Sequence, residues 1–116
     1  MNIHEGSCHC SAVTFTVGAD ITQAIECNCS HCSRKGLLLA FVPKTQLELK
    51  RGEDNLTEYR FNTKRIAHLF CKTCGVQAFG YGTSPDGTET ASINLRCLPD
   101  LDLSLIKINP YDGKHN

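Results

Sequence analysis

Seven of the eight cysteines in this chain fall into three tight clusters: Cys8-His-Cys10, Cys27-Asn-Cys29-Ser-His-Cys32 and Cys71-Lys-Thr-Cys74-Gly75. Short thiolate spacings of this kind are how a small domain grips zinc. Four thiolates close a tetrahedral shell, so two paired clusters make one sealed site. The three thiolates of the remaining segment leave a coordination position open, which is what metal-centred chemistry needs. The sequence therefore carries ligands for one closed site that serves folding and one open site that serves chemistry.

Within the closed set, Cys71 and Cys74 form C-x-x-C followed by Gly75, a zinc knuckle whose glycine lets backbone amides turn towards the sulfurs. Cys8 and Cys10 form C-x-C just before a strand and supply the second pair that Cys71 and Cys74 need. Cys27, Cys29 and Cys32 lie within six residues and wrap one face of an ion, with no fourth cysteine nearby. Two residues are candidates to complete that set. His31 lies inside the segment and would give a second closed site. Cys97, in the apolar context Leu95-Arg-Cys-Leu98, reads more simply as a small buried hydrophobe.

Composition decides how these cysteines are read. The 116 residues are expected to form one domain, 1–116, with a single modest core. Lysine plus arginine balances aspartate plus glutamate at 12 each, so the chain has no electrostatic footprint for nucleic acid or an acidic membrane surface. The longest apolar run, Leu37 to Val42, is far too short to span a bilayer. The first residues, Met1-Asn2-Ile3-His4-Glu5, lack the basic and apolar regions of a signal peptide. A cytoplasmic location is expected, where thiols stay reduced and metal ligation is favoured over a disulfide framework.

The elements that must position the clusters read mostly as short strands. Ala12–Val17 alternates in polarity and is closed by Gly18. The continuous apolar run Leu37–Val42, stopped by Pro43, suits a strand buried on both faces. Leu47–Lys50 and Leu56–Phe61 alternate, with 51–55 as the turn between them. Ile66–Phe70 runs into Cys71, and Val76–Tyr81 leaves the same knuckle, which predicts a hairpin with a metal clasp at its tip. Ser84-Pro-Asp-Gly87 is a turn. Ala91–Leu95 and Leu105–Ile108 complete the strands, and at most one helical turn is expected at Ser33–Lys35. The class is mainly β, with a core small enough to need a zinc staple.

Taken in order and spacing, four pieces resemble the glutathione-dependent formaldehyde-activating enzyme family, which also includes centromere protein V: Gly6-Ser-Cys8-His-Cys10-Ser-Ala-Val13, Cys27-Asn-Cys29-Ser-His-Cys32, Phe70-Cys-Lys-Thr-Cys74-Gly75 and Asn94-Leu-Arg-Cys-Leu98. The resemblance implies curved antiparallel sheets stapled by a four-cysteine zinc site, similar to methionine sulfoxide reductase B and the Mss-four type of exchange chaperone. It implies that Cys8, Cys10, Cys71 and Cys74 hold the structural zinc. It also implies that Cys27, Cys29 and Cys32 hold a second, exchangeable zinc where a substrate thiol binds. The chain is shorter than the founding enzymes and lacks room for their extra substrate-covering segments.

Three thiolates leave a zinc site with a formal charge near minus one, a poor activator of water but a good host for thiol chemistry. The expected activity is that of a zinc-dependent carbon–sulfur lyase acting on a glutathione or related thiol adduct, such as S-hydroxymethylglutathione. No nicotinamide or flavin is implied. Glutathione carries two carboxylates, so Arg34 and Lys35, directly after Cys32, are the candidate substrate-binding cations, and Lys64-Arg65 are a second pair. His31 is also a candidate proton shuttle, and Asn28 a donor to a neighbouring sulfur. His4, His9, His68 and His115 are given no role. The alternatives are a non-catalytic zinc-stapled interaction module and a thiol or metal sensor.

Overall fold

Alternation of polarity along β2 (Thr14–Gly18) fixes the centre of the molecule. Phe15 and Val17 are buried, as is Val13 just before them, whereas Thr14 and Thr16 are half-buried. In the computed structural model, which describes residues 2–60 and 66–113, β2 lies between β1 (Ile3–Ser7) and β5 (Leu47–Arg51) in a three-stranded sheet. The remaining strands are β3 (Gln23–Cys27), β4 (Leu39–Pro43), β6 (Leu56–Tyr59), β7 (Ile66–Cys71), β8 (Gln77–Thr83), β9 (Glu89–Asn94) and β10 (Lys107–Tyr111). They build a seven-stranded sheet in the order β10-β3-β4-β9-β8-β7-β6. One helix, α1 (Ser30–Lys35), follows β3. The fold is mainly β, as expected.

The two sheets meet through their buried side chains. Phe15 of β2 packs edge-on against Phe79 of β8, with ring centroids 5.3 Å apart. Ile93 and Leu95 fill the space around them. An aromatic pair of this geometry contributes about 0.5–1.5 kcal/mol beyond the area it buries.

Among the described residues all strand pairs are antiparallel except one. β10 runs parallel to β3, from Lys107 opposite Gln23 to Tyr111 opposite Cys27. A parallel pair needs a long connection rather than a hairpin, and here most of the chain intervenes. Its consequence is local: the end of β10 lies beside the first residue of the three-cysteine segment.

Several expectations shift. The run Leu37–Val42 is not a strand buried on both faces: β4 begins at Leu39, and Phe41 is 52% exposed. Leu39 is covered because it packs with Cys32 of α1. A six-residue helix is only about 9 Å long, so the same face is bare two residues further on. Residues 51–55 do not close a hairpin. β5 pairs with β2 and β6 with β7, so this segment carries the chain from one sheet to the other. The helix is longer than the single turn expected at Ser33–Lys35: it begins at Ser30, because Cys29 caps it. β1 and β3 were not foreseen; Ile-His-Glu-Gly-Ser and Gln-Ala-Ile-Glu-Cys carry no alternation long enough to register. The closing strand lies two residues later than Leu105, which sits in a 3-10 turn.

The sheet-to-sheet crossing depends on Gly52. Its φ is +94°, and a Cβ there would lie 2.2 Å from the Ala12 carbonyl oxygen and 2.8 Å from the Val13 Cα. Both the left-handed backbone and the contact with immovable main chain exclude a side chain. Gly52→Ala is expected to destabilise by about 2 kcal/mol or more, seen as a fall in melting temperature of about 8 °C or more. An unchanged melting temperature would show that the crossing is not held this way.

Candidate metal centre

The loop between β1 and β2 carries Cys8 and Cys10, and the knuckle between β7 and β8 carries Cys71 and Cys74. Their four sulfurs lie within 4.8 Å of one another. The Cys8–Cys10 and Cys10–Cys71 sulfur separations are 3.8 and 3.7 Å. A tetrahedron of thiolates about 2.3 Å from zinc has edges of about 3.8 Å, so donor type and spacing both fit that ion. The knuckle is built as the sequence predicts. Cys71 N–H donates to the Val76 carbonyl, Gly75 N–H to the Cys71 carbonyl, and Gly75 has φ +80°.

Amides surround these sulfurs. Thr73 and Cys74 N–H donate to Cys71 Sγ at 3.3 and 3.4 Å, and Val13 N–H to Cys8 Sγ at 3.4 Å. Asn55, at the end of the crossing segment, adds Nδ2 to Cys71 Sγ at 3.3 Å. The Val76 and Cys10 amides pull the Cys74 thiol down to about 6. Desolvation works against Cys71, yet the Cys74 and Thr73 amides outweigh it and its thiol is also lowered. Cys10 goes the other way: the Ala12 amide is outweighed by desolvation and by the sulfurs of Cys71, Cys8 and Cys74, which push it up to about 11. Sulfurs this close compete for negative charge, and a cation among them removes the competition.

Cys27, Cys29 and Cys32 form a second group, also within 4.8 Å. β3 delivers Cys27 at its last residue. Cys29 is the N-cap of α1, with extended backbone (φ −62°, ψ 161°), and its sulfur accepts from Cys32 N–H at 3.3 Å. Cys29 N–H in turn donates to Cys27 Sγ at 3.4 Å. Gly36 closes the helix in the left-handed conformation, and Cys32 is buried against Leu37 and Leu39. Burial, with the charges of Cys29 and Cys27, pushes the Cys32 thiol up. For Cys29 desolvation is outweighed by the Cys32 amide and the neighbouring thiols, so its thiol is lowered. Low Cys29 and high Cys32 is again the signature of sulfurs sharing one charge.

Two groups of thiols, split four and three, match the sequence pieces in order. A sequence model of the glutathione-dependent formaldehyde-activating enzymes matches residues 3–107. The chain belongs to this family. A crystal structure of a Rhodobacter sphaeroides protein, solved in structural genomics, superposes with a TM-score of 0.77 at 31% sequence identity, covering 90% of this chain and 99% of that one.

A pocket of about 440 Å³ opens beside the three-thiol group of this family member, and both Cys27 and Cys32 line it. Its other walls include Ser33, Gly36 and Leu37 from the helix side and Pro110, Tyr111 and Asp112 from β10 and beyond. Neither Arg34 nor Lys35 is part of the lining. Arg34 reaches back to the Ser30 carbonyl at 2.9 Å. Lys35 donates to Gln77 Oε1 at 2.7 Å and lies over the Phe70 ring. The other candidate cations, Lys64 and Arg65, lie outside the described residues, as does His115.

The remaining candidates separate clearly. The His31 ring packs 4.1 Å from His68 and stacks at 5.8 Å on Tyr59, and it is not part of the three-sulfur group. Cys97 is buried outside both groups, near Asn94 and the Gln77 carbonyl, and burial pushes its thiol up to about 11. Asn28 donates its side-chain amide to Asp112. Sequence reasoning missed Asn55 and Gln77, since nothing local marks either one. Gln77 is buried, receives Lys35 on its oxygen and turns its amide nitrogen to His68 Nδ1 at 3.4 Å. Burial, then the charges of His31 and Lys35, pull His68 down to about 4.

Three measurements follow. Timed transfer of zinc to a chelator should show one slow and one fast ion, since three ligands beside a pocket release more readily than four. Cys71→Ser should leave insoluble or unfolded protein; an unchanged melting temperature and zinc content would refute the closed site. By NMR, the His68 ring should stay neutral at pH 6 and take its proton near pH 4. Because its pKa is below the unfolded value, its burial costs stability as pH falls from about 6.5 to about 4. A midpoint near 6.5 would mean the ring is solvated.

Proposed function

We propose that this protein is a zinc-dependent carbon–sulfur lyase acting on the adduct of formaldehyde with a small thiol, glutathione or a relative. The observation that carries the reading is that the three-thiol group borders a pocket, whereas four thiols already complete the other group. Membership of the family supports it. Bound at Cys27, Cys29 and Cys32, zinc would supply a place for a sulfur ligand and lower its pKa.

The chain's own residues supply the rest. Cys27 and Cys32 face the pocket, so the substrate sulfur approaches on their side. Cys29, tied to the start of α1, holds the group together. In the synthetic direction the thiol gives up its proton and the sulfur forms a bond to the carbonyl carbon. The C=O π electrons move to oxygen, and that oxygen takes a proton to give the hydroxymethyl thioether. The lyase direction reverses each transfer. No electrons are gained or lost, so no redox partner is required. Leu37, Pro110 and Tyr111 give the pocket an apolar side beside the sulfurs. Among the described residues Arg34, exposed next to Ser33 and donating to the Ser30 carbonyl, can swing to a substrate carboxylate without leaving a side-chain partner. Lys35 plays that part only by leaving Gln77.

Cobalt-substituted protein tests the reading, because a new sulfur ligand changes the visible absorption of the metal. Glutathione should perturb the spectrum and S-methylglutathione should not. Cys29→Ser should abolish the response with the fold intact. Arg34→Ala should weaken binding about fivefold, the effect of a partly exposed charge pair of about 1 kcal/mol. Equal binding of the two ligands, or no spectral change with either, would refute thiol activation and leave a non-catalytic zinc-stapled module.

A further inference from the structure

We propose that the turn following β10, Tyr111–Gly113, keeps Cys27 in the ligand set of the second site, with Gly113 as the positioning residue. The inference rests on the reading of Cys27, Cys29 and Cys32 as a metal site. It starts from space. A Cβ on Gly113 would lie 2.4 Å from Cys27 Sγ and 3.3 Å from Cys29 Cβ. Gly113 is not among the glycines with positive φ, so what the position demands is close approach, not an unusual backbone. By contrast, a Cβ on Gly75, in the other knuckle, would meet nothing within 4 Å. The tight fit is particular to the three-thiol group.

Three further contacts hold the turn down on the sulfurs. The parallel register sets Tyr111 opposite Cys27. Asn28, between Cys27 and Cys29, donates its backbone N–H to the Tyr111 carbonyl at 3.1 Å and its side-chain amide to Asp112 Oδ1 at 3.0 Å. Gly113 N–H turns back to the Tyr111 carbonyl at 3.1 Å. The same segment thus walls the pocket through Pro110, Tyr111 and Asp112 and abuts Cys27 from the side. Approach to the sulfurs is left to the pocket.

A side chain at 113 has a specific consequence. The atom it would strike is the tip of a cysteine, which escapes by rotating about χ1 at little cost to the fold. Rotation takes the sulfur out of the group, and two thiolates remain where three stood. The fold should therefore survive Gly113→Ala while the second site fails.

Cobalt titration of the full chain reads this directly through the thiolate-to-cobalt absorption. Wild-type protein should take up two equivalents. Gly113→Ala should bind the first unchanged and the second at least about tenfold more weakly, the scale of lost outer support at metal sites, with a melting temperature within a few degrees of wild type. Asp112→Ala, which removes the clasp to Asn28, should keep both ions but release the second several times faster to a chelator. Two equivalents in Gly113→Ala with unaltered absorption and release would overturn the inference and leave the metal site standing. Should Gly113→Ala fail to fold, the Asp112→Ala release rate decides, and an unaltered rate overturns it. A single equivalent in the wild type would overturn the metal reading itself, and the inference with it.

Discussion

Thiolates repel one another, and the molecule is organised around gathering four of them. Cys8 and Cys10 come from the loop that joins two strands of the smaller sheet, and Cys71 and Cys74 from a hairpin of the larger one. The group is therefore a clasp between sheets. Amides of Val13, Thr73 and Cys74 and the side chain of Asn55 point at its sulfurs. Amides offset part of the charge, and opposite shifts at Cys10 and Cys74 show that they do not offset all of it. A divalent cation would complete what the amides begin. Its binding free energy would then count directly towards folding.

The aromatic contact between Phe15 and Phe79 lies on the same seam. It sets how closely the sheets approach but fixes their orientation only weakly, because nonpolar packing is not directional. The sulfur cluster is directional. With both present, the hairpin β7–β8 is held at its tip by the clasp and along its length by the core. β8 in turn places Gln77, which sets Lys35 and therefore the far end of α1. Restraint passes from the first thiol group to the helix of the second through that buried amide and through Phe70, over whose ring Lys35 lies.

What was legible in the sequence was local. Cys71-x-x-Cys74-Gly75 declares its own turn, and Cys27-x-Cys29-x-x-Cys32 declares its own cluster, because the ligands are fixed by a few consecutive dihedrals. The alternation of Val13, Phe15 and Val17 declares a strand with one buried face. Pairing between distant segments left no such mark. Nothing around residues 51–55 distinguishes a hairpin turn from a crossing between sheets; the difference lies in Gly52 meeting the backbone of Ala12 and Val13. The parallel seat of β10 beside β3 was equally invisible, since its register is set by the excursion through residues 95–106. Asn55, Gln77 and Gly113 escaped for this reason. Each acts on a cysteine segment or its helix from far along the chain. Arg34 and Lys35 are adjacent in sequence, but helical geometry turns one to the Ser30 carbonyl and the other to Gln77.

The two thiol groups differ most in what each would lose on releasing a metal. Emptying the first frees two loops on different sheets, so the sulfurs separate and the seam loosens. Emptying the second frees sulfurs from a single six-residue segment whose backbone is still held by the cap at Cys29, the αL closure at Gly36 and the pairing of β3. The segment would stay assembled on releasing an ion. A site that stays assembled can exchange its ligand at little cost in folding free energy, and only such a site is free to change partners during a reaction. On the proposed reading, the division of labour between four thiols and three would follow from where their ligands lie in the chain, before any substrate is considered.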